Sequence, residues 1–321
     1  MAERKVRNTA VLFKINAGAY GADALPVPAS DAILLRKFDA KQEIKYVKNT
    51  QVRPYMGGTV DLAAVTYITG SFEVAMSGSG VAGTPTMWSR FLRCAAFAEA
   101  ITAATRCDYT PITDALEDAT IYYYDSGVLK IATGLRCNIT GFKMPYGDVP
   151  TLSVNFIALD GGESAVVPPA VTLTAWKEPV PVNQANSGLL TIGCTYAAGA
   201  LVGGVSYPSK GIEFSLGGQL NFAELLGGEE ADFTDRDITG KLTLDLTVAQ
   251  EITNMGIVKA GTLQGIGLAH GTVAGHKLLV HLPACQLKNP TKDELNGKRV
   301  ITYDFAAVPV VGNDEVRIVT L

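Results

Sequence analysis

Two stretches of this chain alternate apolar and polar side chains and pass through the same Ile-Thr-Gly step, 170 positions apart. In the first, Tyr67 to Met76, the residues Ile68, Phe72, Val74 and Met76 share one parity and Thr69, Ser71 and Glu73 the other. In the second, Asp237 to Leu246, the apolar set is Ile238, Leu242, Leu244 and Leu246, with Lys241, Thr243 and Asp245 opposite. Successive side chains of a strand point to opposite faces, so each stretch reads as a strand with one buried and one wet face.

The segments after the two strands also correspond. After the first, Thr84-Pro85 offers a helix start, and Trp88, Phe91, Leu92 and Ala95 come next at helical spacing. After the second, Thr247 and Gln250 have capping-box spacing, Val248, Ile252 and Met255 form an apolar stripe, and Gly261 offers a stop. The first copy carries extra residues, Ser77 to Gly83, which read as an exposed Gly/Ser-rich loop containing Ser77, Gly78, Ser79, Gly80 and Gly83. Lys130 to Cys137 resembles Lys277 to Cys285, which would make Cys137 and Cys285 equivalent. Closing strands come last, with Asn155-Phe156 in one copy and Asp304-Phe305 in the other. Strand, helix, strand, turn and strand recur in order, the mark of a tandem duplication. The expected division is a first unit over residues 1–165 with an N-terminal arm, a proline-rich linker over 166–187 and a second unit over 188–321. Ile212 to Phe222 alternates throughout and is expected to form one long strand, with Glu213, Ser215, Gln219 and Asn221 on its polar face.

Composition excludes several classes. A formal net charge of −4 on 321 residues gives no overall basic field for nucleic acid or an acidic membrane. The longest uncharged stretch, Pro179 to Ser209, is broken by Asn, Gln, Thr and Gly and reads as linker and buried strand. Five scattered cysteines contain no CxxC pair, so buried free thiols are expected rather than disulfides or a zinc site. His270, His276 and His281 are expected on an outer surface or facing a lumen, and Asp114, Glu117 and Asp118 as solvated charge. Nucleotide loops and nucleophile elbows do not occur, so no catalytic residue, metal or cofactor is expected.

Arg53-Pro54-Tyr55-Met56-Gly57-Gly58, the strand Ile68–Met76, the segment at Pro85, Tyr109-Thr110-Pro111 and the closing Gly312-Asn313-Asp314-Glu315-Val316 together resemble a siphophage major tail tube protein. The resemblance implies a mainly β fold of two tandem tail-tube-like β-sandwich or partial-barrel modules, each with one flanking α-helix. It further implies trimeric rings with pseudo-sixfold symmetry that stack into a tail tube. Such a virion protein is assembled in the bacterial cytoplasm, meets tape-measure and tail terminator proteins, and passes double-stranded DNA without specific binding. The tube of a contractile tail or secretion machine, and a β-sandwich binding module, are the competing readings. For a tube, alternation nominates Thr69, Ser71, Glu73, Glu213, Ser215, Gln219, Asn221, Thr243 and Asp245 as lumen-facing, because DNA must pass a neutral or acidic wet wall. Phe38 to Asp61 and Ser77 to Gly83 are the expected bridges between rings.

Overall fold

The computed structural model describes residues 9–321. Strands hold 52% of the chain and helices 6%, so the protein is mainly β. The first half runs β1 (Thr9–Ile15), β2 (Lys37–Lys48), β3 (Asp61–Ala75), α1 (Ser89–Cys94), β4 (Phe97–Thr102), β5 (Arg106–Pro111), β6 (Ala119–Asp125), β7 (Val128–Pro145) and β8 (Thr151–Ala165). The second half opens with the short strands β9 (Leu190–Ile192), β10 (Thr195–Ala197), β11 (Ala200–Val202) and β12 (Val205–Tyr207). It continues with β13 (Ser209–Ser215), β14 (Gln219–Ala223), β15 (Glu230–Asp235), β16 (Thr239–Leu244) and α2 (Val248–Ala260). It closes with β17 (Gln264–His270), β18 (Leu278–Leu295), β19 (Lys298–Ala307) and β20 (Arg317–Thr320).

The main sheet is ordered β12-β9-β17-β18-β19-β16-β13-β7-β8-β3-β2. Within it, the run β2-β3-β8-β7 is followed by β13-β16-β19-β18, the same antiparallel arrangement built from later strands. The register repeats as well. Gly70 lies opposite Phe156 and Gly240 opposite Phe305. A Cβ on either glycine would come within 2.4 Å of that phenylalanine ring, so both positions demand the missing side chain. Register shifts recur at matching places, between Ile139 and Gly141 on β7 and between Lys288 and Thr291 on β18. Cys137 is opposite Phe156, whereas Leu287 is opposite Phe305. The counterpart of Cys137 is therefore Leu287, which corrects the expected match with Cys285.

The two runs join where β13 pairs with β7 over Gly211 to Phe214. Phe142 and Phe214 stack there with ring centroids 4.8 Å apart, and Lys143 Nζ lies 2.9 Å from Glu213 Oε1. One apolar core runs through both halves, from Phe13, Phe72 and Phe91 to Leu244, Tyr303 and Ile318. A second tie is β5 against β20. Beside it, the buried Asp108 carboxylate accepts hydrogen bonds from Arg106, Arg317 and the Tyr196 hydroxyl. The proline-rich segment is strapped down: Trp176 Nε1 donates to the Ala32 carbonyl at 3.0 Å, and Val182 is buried.

Local expectations fare differently. Thr247 and Gln250 make the full capping box, and Gly261 closes α2 in the left-handed conformation. In the first half the cap lies elsewhere: α1 starts at Ser89 with Trp88 at its N-cap, four residues past Thr84. Trp88 is held there because its buried indole donates to the Ser77 carbonyl at 2.8 Å. Of the α2 stripe, Val248 and Ile252 face outward, 78% and 69% exposed, and Met255 is half-buried, while Asn254 is the buried position. Asp118 is buried, accepting from Asn16 and the Gly21 amide, and Glu117 pairs with Arg93. All five cysteines are buried and free, and burial pushes the Cys285 and Cys194 thiols up.

His270 and His281 are core residues rather than surface ones. His270 Nε2 lies 3.0 Å from the Val180 carbonyl and Nδ1 2.8 Å from Ser187 Oγ. A carbonyl only accepts, so Nε2 carries a proton, and the Ser187 hydroxyl can complete the ring's second hydrogen bond. Burial lowers both imidazole pKa values, against hydrogen bonds to the Val180 and Cys194 carbonyls. Below the ordinary value of 6.5 the unfolded chain therefore binds protons that the folded chain refuses, and stability falls as pH drops. Urea unfolding between pH 7 and 5.5 should show this loss, and His270→Gln should reduce its slope by up to about 1.4 kcal/mol per pH unit. An unchanged slope would mean His270 titrates alike in both states.

Candidate assembly and channel surface

The wet parity of each strand assembles into one continuous polar face. Across the first run, Asp39, Ser71, Asn155 and Asn138 stand opposite one another in a row. The matching row of the second run is Glu213, Lys241, Asp304 and Lys288, four charges of alternating sign. Lys241 Nζ is 3.7 Å from Asp304 Oδ1, and Lys143 extends the row beyond Glu213. The row is nearly self-neutralising, and cross-strand pairs of opposite sign support the sheet. Thr69, Ser71, Glu73, Glu213, Ser215, Thr243 and Asp245 belong to this face, opposite the buried Ile68, Phe72, Phe214 and Leu242. Thr243 Oγ1 lies 2.8 Å from Thr302 Oγ1, and Glu73 lies 3.6 Å from Arg36. Asn138, Lys143, Asn155, Lys288 and Asp304 were missed in the sequence, although Asn155 and Asp304 each precede the matched phenylalanine.

Gln219 and Asn221 lie elsewhere. The strand expected over Ile212 to Phe222 ends at Ser215, because Gly217 adopts a φ of +59° and turns the chain. Gln219 to Ala223 then pairs with Glu230–Asp235 as a separate hairpin. It leans over the first run: Phe222 stacks on Tyr67 with centroids 4.6 Å apart, and Glu224 pairs with Lys45. Arg136 Nη1 donates to the Ala231 carbonyl at 2.8 Å. Over the first run's row, Gly218 and Leu220 next to and in this hairpin rim a depression of about 480 Å³ with Ser71, Asn138 and Asn155, and the matching depression of the second run, around Glu213, Lys241 and Asp304, is about 700 Å³.

Three features point outward. The edge of β2 away from β3 carries no strand, and the same is true of β18 from Gln286 to Leu295 away from β19, among the described residues. The tip between β2 and β3, residues 49–60, exposes Val52, Tyr55, Met56 and Val60. Ser77 to Gly83, expected to be a free loop, instead packs within the chain: Gly80 N donates to the Gly275 carbonyl at 3.0 Å, and Ser77 is buried. A Cβ on Gly78 would sit 2.1 Å from that carbonyl, so these glycines permit close approach rather than flexibility. Ser79 and Gly83 are half-buried in the same loop.

Among the described residues, no group of three or more His, Cys, Asp or Glu side chains is placed to hold a metal, and no helix is long and apolar enough to cross a membrane. The chain matches no known family model and no curated protein.

Proposed function

We propose that this chain is the tube subunit of a long, non-contractile phage tail, two tandem tube modules closing three to a ring. The observation that carries the proposal is the junction of β7 with β13. It joins the end of one four-strand run to the start of an equivalent run, and the same two elements are left unpaired at the outer ends, on β18 and β2. Repeating that junction between chains pairs both of these free edges, and three chains supply six runs. The polar face then lines a channel through which DNA passes, its charges matched within the wall so that few cations are left for phosphates. The exposed tip 49–60 bridges to the next ring. Tape-measure and terminator proteins would meet the inside and the ends of such a tube.

Equivalence fixes the register between chains. Phe142 and Phe214, opposed in the chain, correspond to Lys292 and Ala40. Asp293 then stands opposite Asp39 of the next copy, with Lys37, Lys41 and Lys292 beside them to offset the like charges. A chain carrying Lys292→Cys and Ala40→Cys, treated with a short thiol cross-linker, should give a denaturing-gel ladder ending at the trimer. Monomer alone, under conditions where the protein is assembled, would contradict the junction.

A further inference from the structure

The two projecting hairpins correspond residue by residue, and that correspondence names a contact between chains. In the first half, pairing runs Lys45 with Val65, then slips one residue to Tyr46 with Ala63 and Val47 with Leu62. In the second half, Gln219 pairs with Asp235, then slips one residue to Leu220 with Phe233 and Asn221 with Asp232. The bulge thus falls at the same place. Lys45 matches Gln219, Lys48 matches Phe222, and Asp61 matches Ala231. On the strand that returns, Ile68-Thr69-Gly70 matches Ile238-Thr239-Gly240, so the residue before, Tyr67, matches Asp237.

Inside the chain the second hairpin leans on the first run through Phe222 on Tyr67. The equivalent contact one step on would bring the first hairpin of a neighbouring chain onto the second run. There Lys48 takes the place of Phe222, and Asp237 takes the place of Tyr67. Both residues are exposed, and neither has an ion-pair partner among the described residues. Gln286, the match of Arg136, would meet the stretch at Asp61 of the neighbour, as Arg136 meets Ala231. The open depression beside Lys241 and Asp304 lies on the side where that hairpin would rest.

We propose that Lys48 of one chain pairs with Asp237 of the next, an ion pair standing between chains where an aromatic stack stands within them. This rests on the ring proposed above and adds its specificity. A stack at one kind of junction and an ion pair at the other separate the contact of first to second module from the contact between chains. A module meeting its own kind would set Lys48 on Tyr67, or Phe222 on Asp237, leaving a charge unpaired in each case.

The test is a charge swap in the full chain, read by sedimentation and electron microscopy at low and high salt. Lys48→Asp and Asp237→Lys, each at an exposed position, should melt like the wild type. Each should raise the concentration needed for ring formation by roughly tenfold or more, since like charges brought together oppose docking. The double variant, with the pair reversed, should assemble near the wild-type concentration. Single variants that assemble normally, or a double variant no better than either single one, would overturn the pair while wild-type rings leave the tube reading standing. Wild-type protein that forms no ring at any concentration would remove both.

Discussion

Replacing Phe214 by alanine should lower the free energy of unfolding by about 3–5 kcal/mol, the usual cost of deleting a buried aromatic ring. The side chain is 1% exposed and stacks on Phe142 at the seam between the two four-strand runs. Its neighbours are held by sheet pairing on both sides, so they cannot collapse into the cavity. Because one core runs through both halves, the loss should appear as a shifted single transition in urea. Two separated transitions would show the halves to be independent, and a loss below about 1 kcal/mol would show that the seam collapses around the missing ring.

Replacing residues 49–60 with Asn-Gly should abolish tubes without unfolding the protein. Lys48 and Asp61 are the last pair of the β2–β3 ladder, and a two-residue Asn-Gly turn closes such a ladder directly. The removed segment contributes nothing to the core: Val52 and Met56 are fully exposed. An exposed apolar tip at the end of a long hairpin is costly in a free protein and makes sense where a partner covers it. The truncated chain should keep its melting temperature within a few degrees and form no stacked rings. Tubes of normal length from this variant would move the bridging role elsewhere.

Much of the architecture was legible because strand parity is a strong signal. The alternation around Gly70 and Gly240 identified buried and wet faces, and the structure sets those glycines in the same register against Phe156 and Phe305. Thr247 and Gln250 announced their capping box because that motif is local. The failures share a cause: they depended on contacts distant in sequence. Alternation ran through Gly217-Gly218 without interruption, yet the chain turns there because Asn138, from another strand, accepts from the Gly218 amide and donates to its carbonyl. Val248, Ile252 and Met255 made a helical stripe, but periodicity cannot say which side meets the sheet, and the buried position is Asn254. The glycines at 78 and 80 read as an exposed loop, although they allow backbone to touch backbone at Gly275. Of the polar face, the β3, β13 and β16 residues were readable from parity. Lys143 and Lys288 were not, because each lies on a long strand with a register shift.

Electron microscopy of the purified protein over a range of concentrations, paired with native mass spectrometry of the smallest assembly, tests the central claim most directly. The tandem-module account predicts hollow rings of three chains with a sixfold outline, stacking into tubes as concentration rises. Protein that stays monomeric throughout, or that forms solid fibres without a central channel, would contradict it.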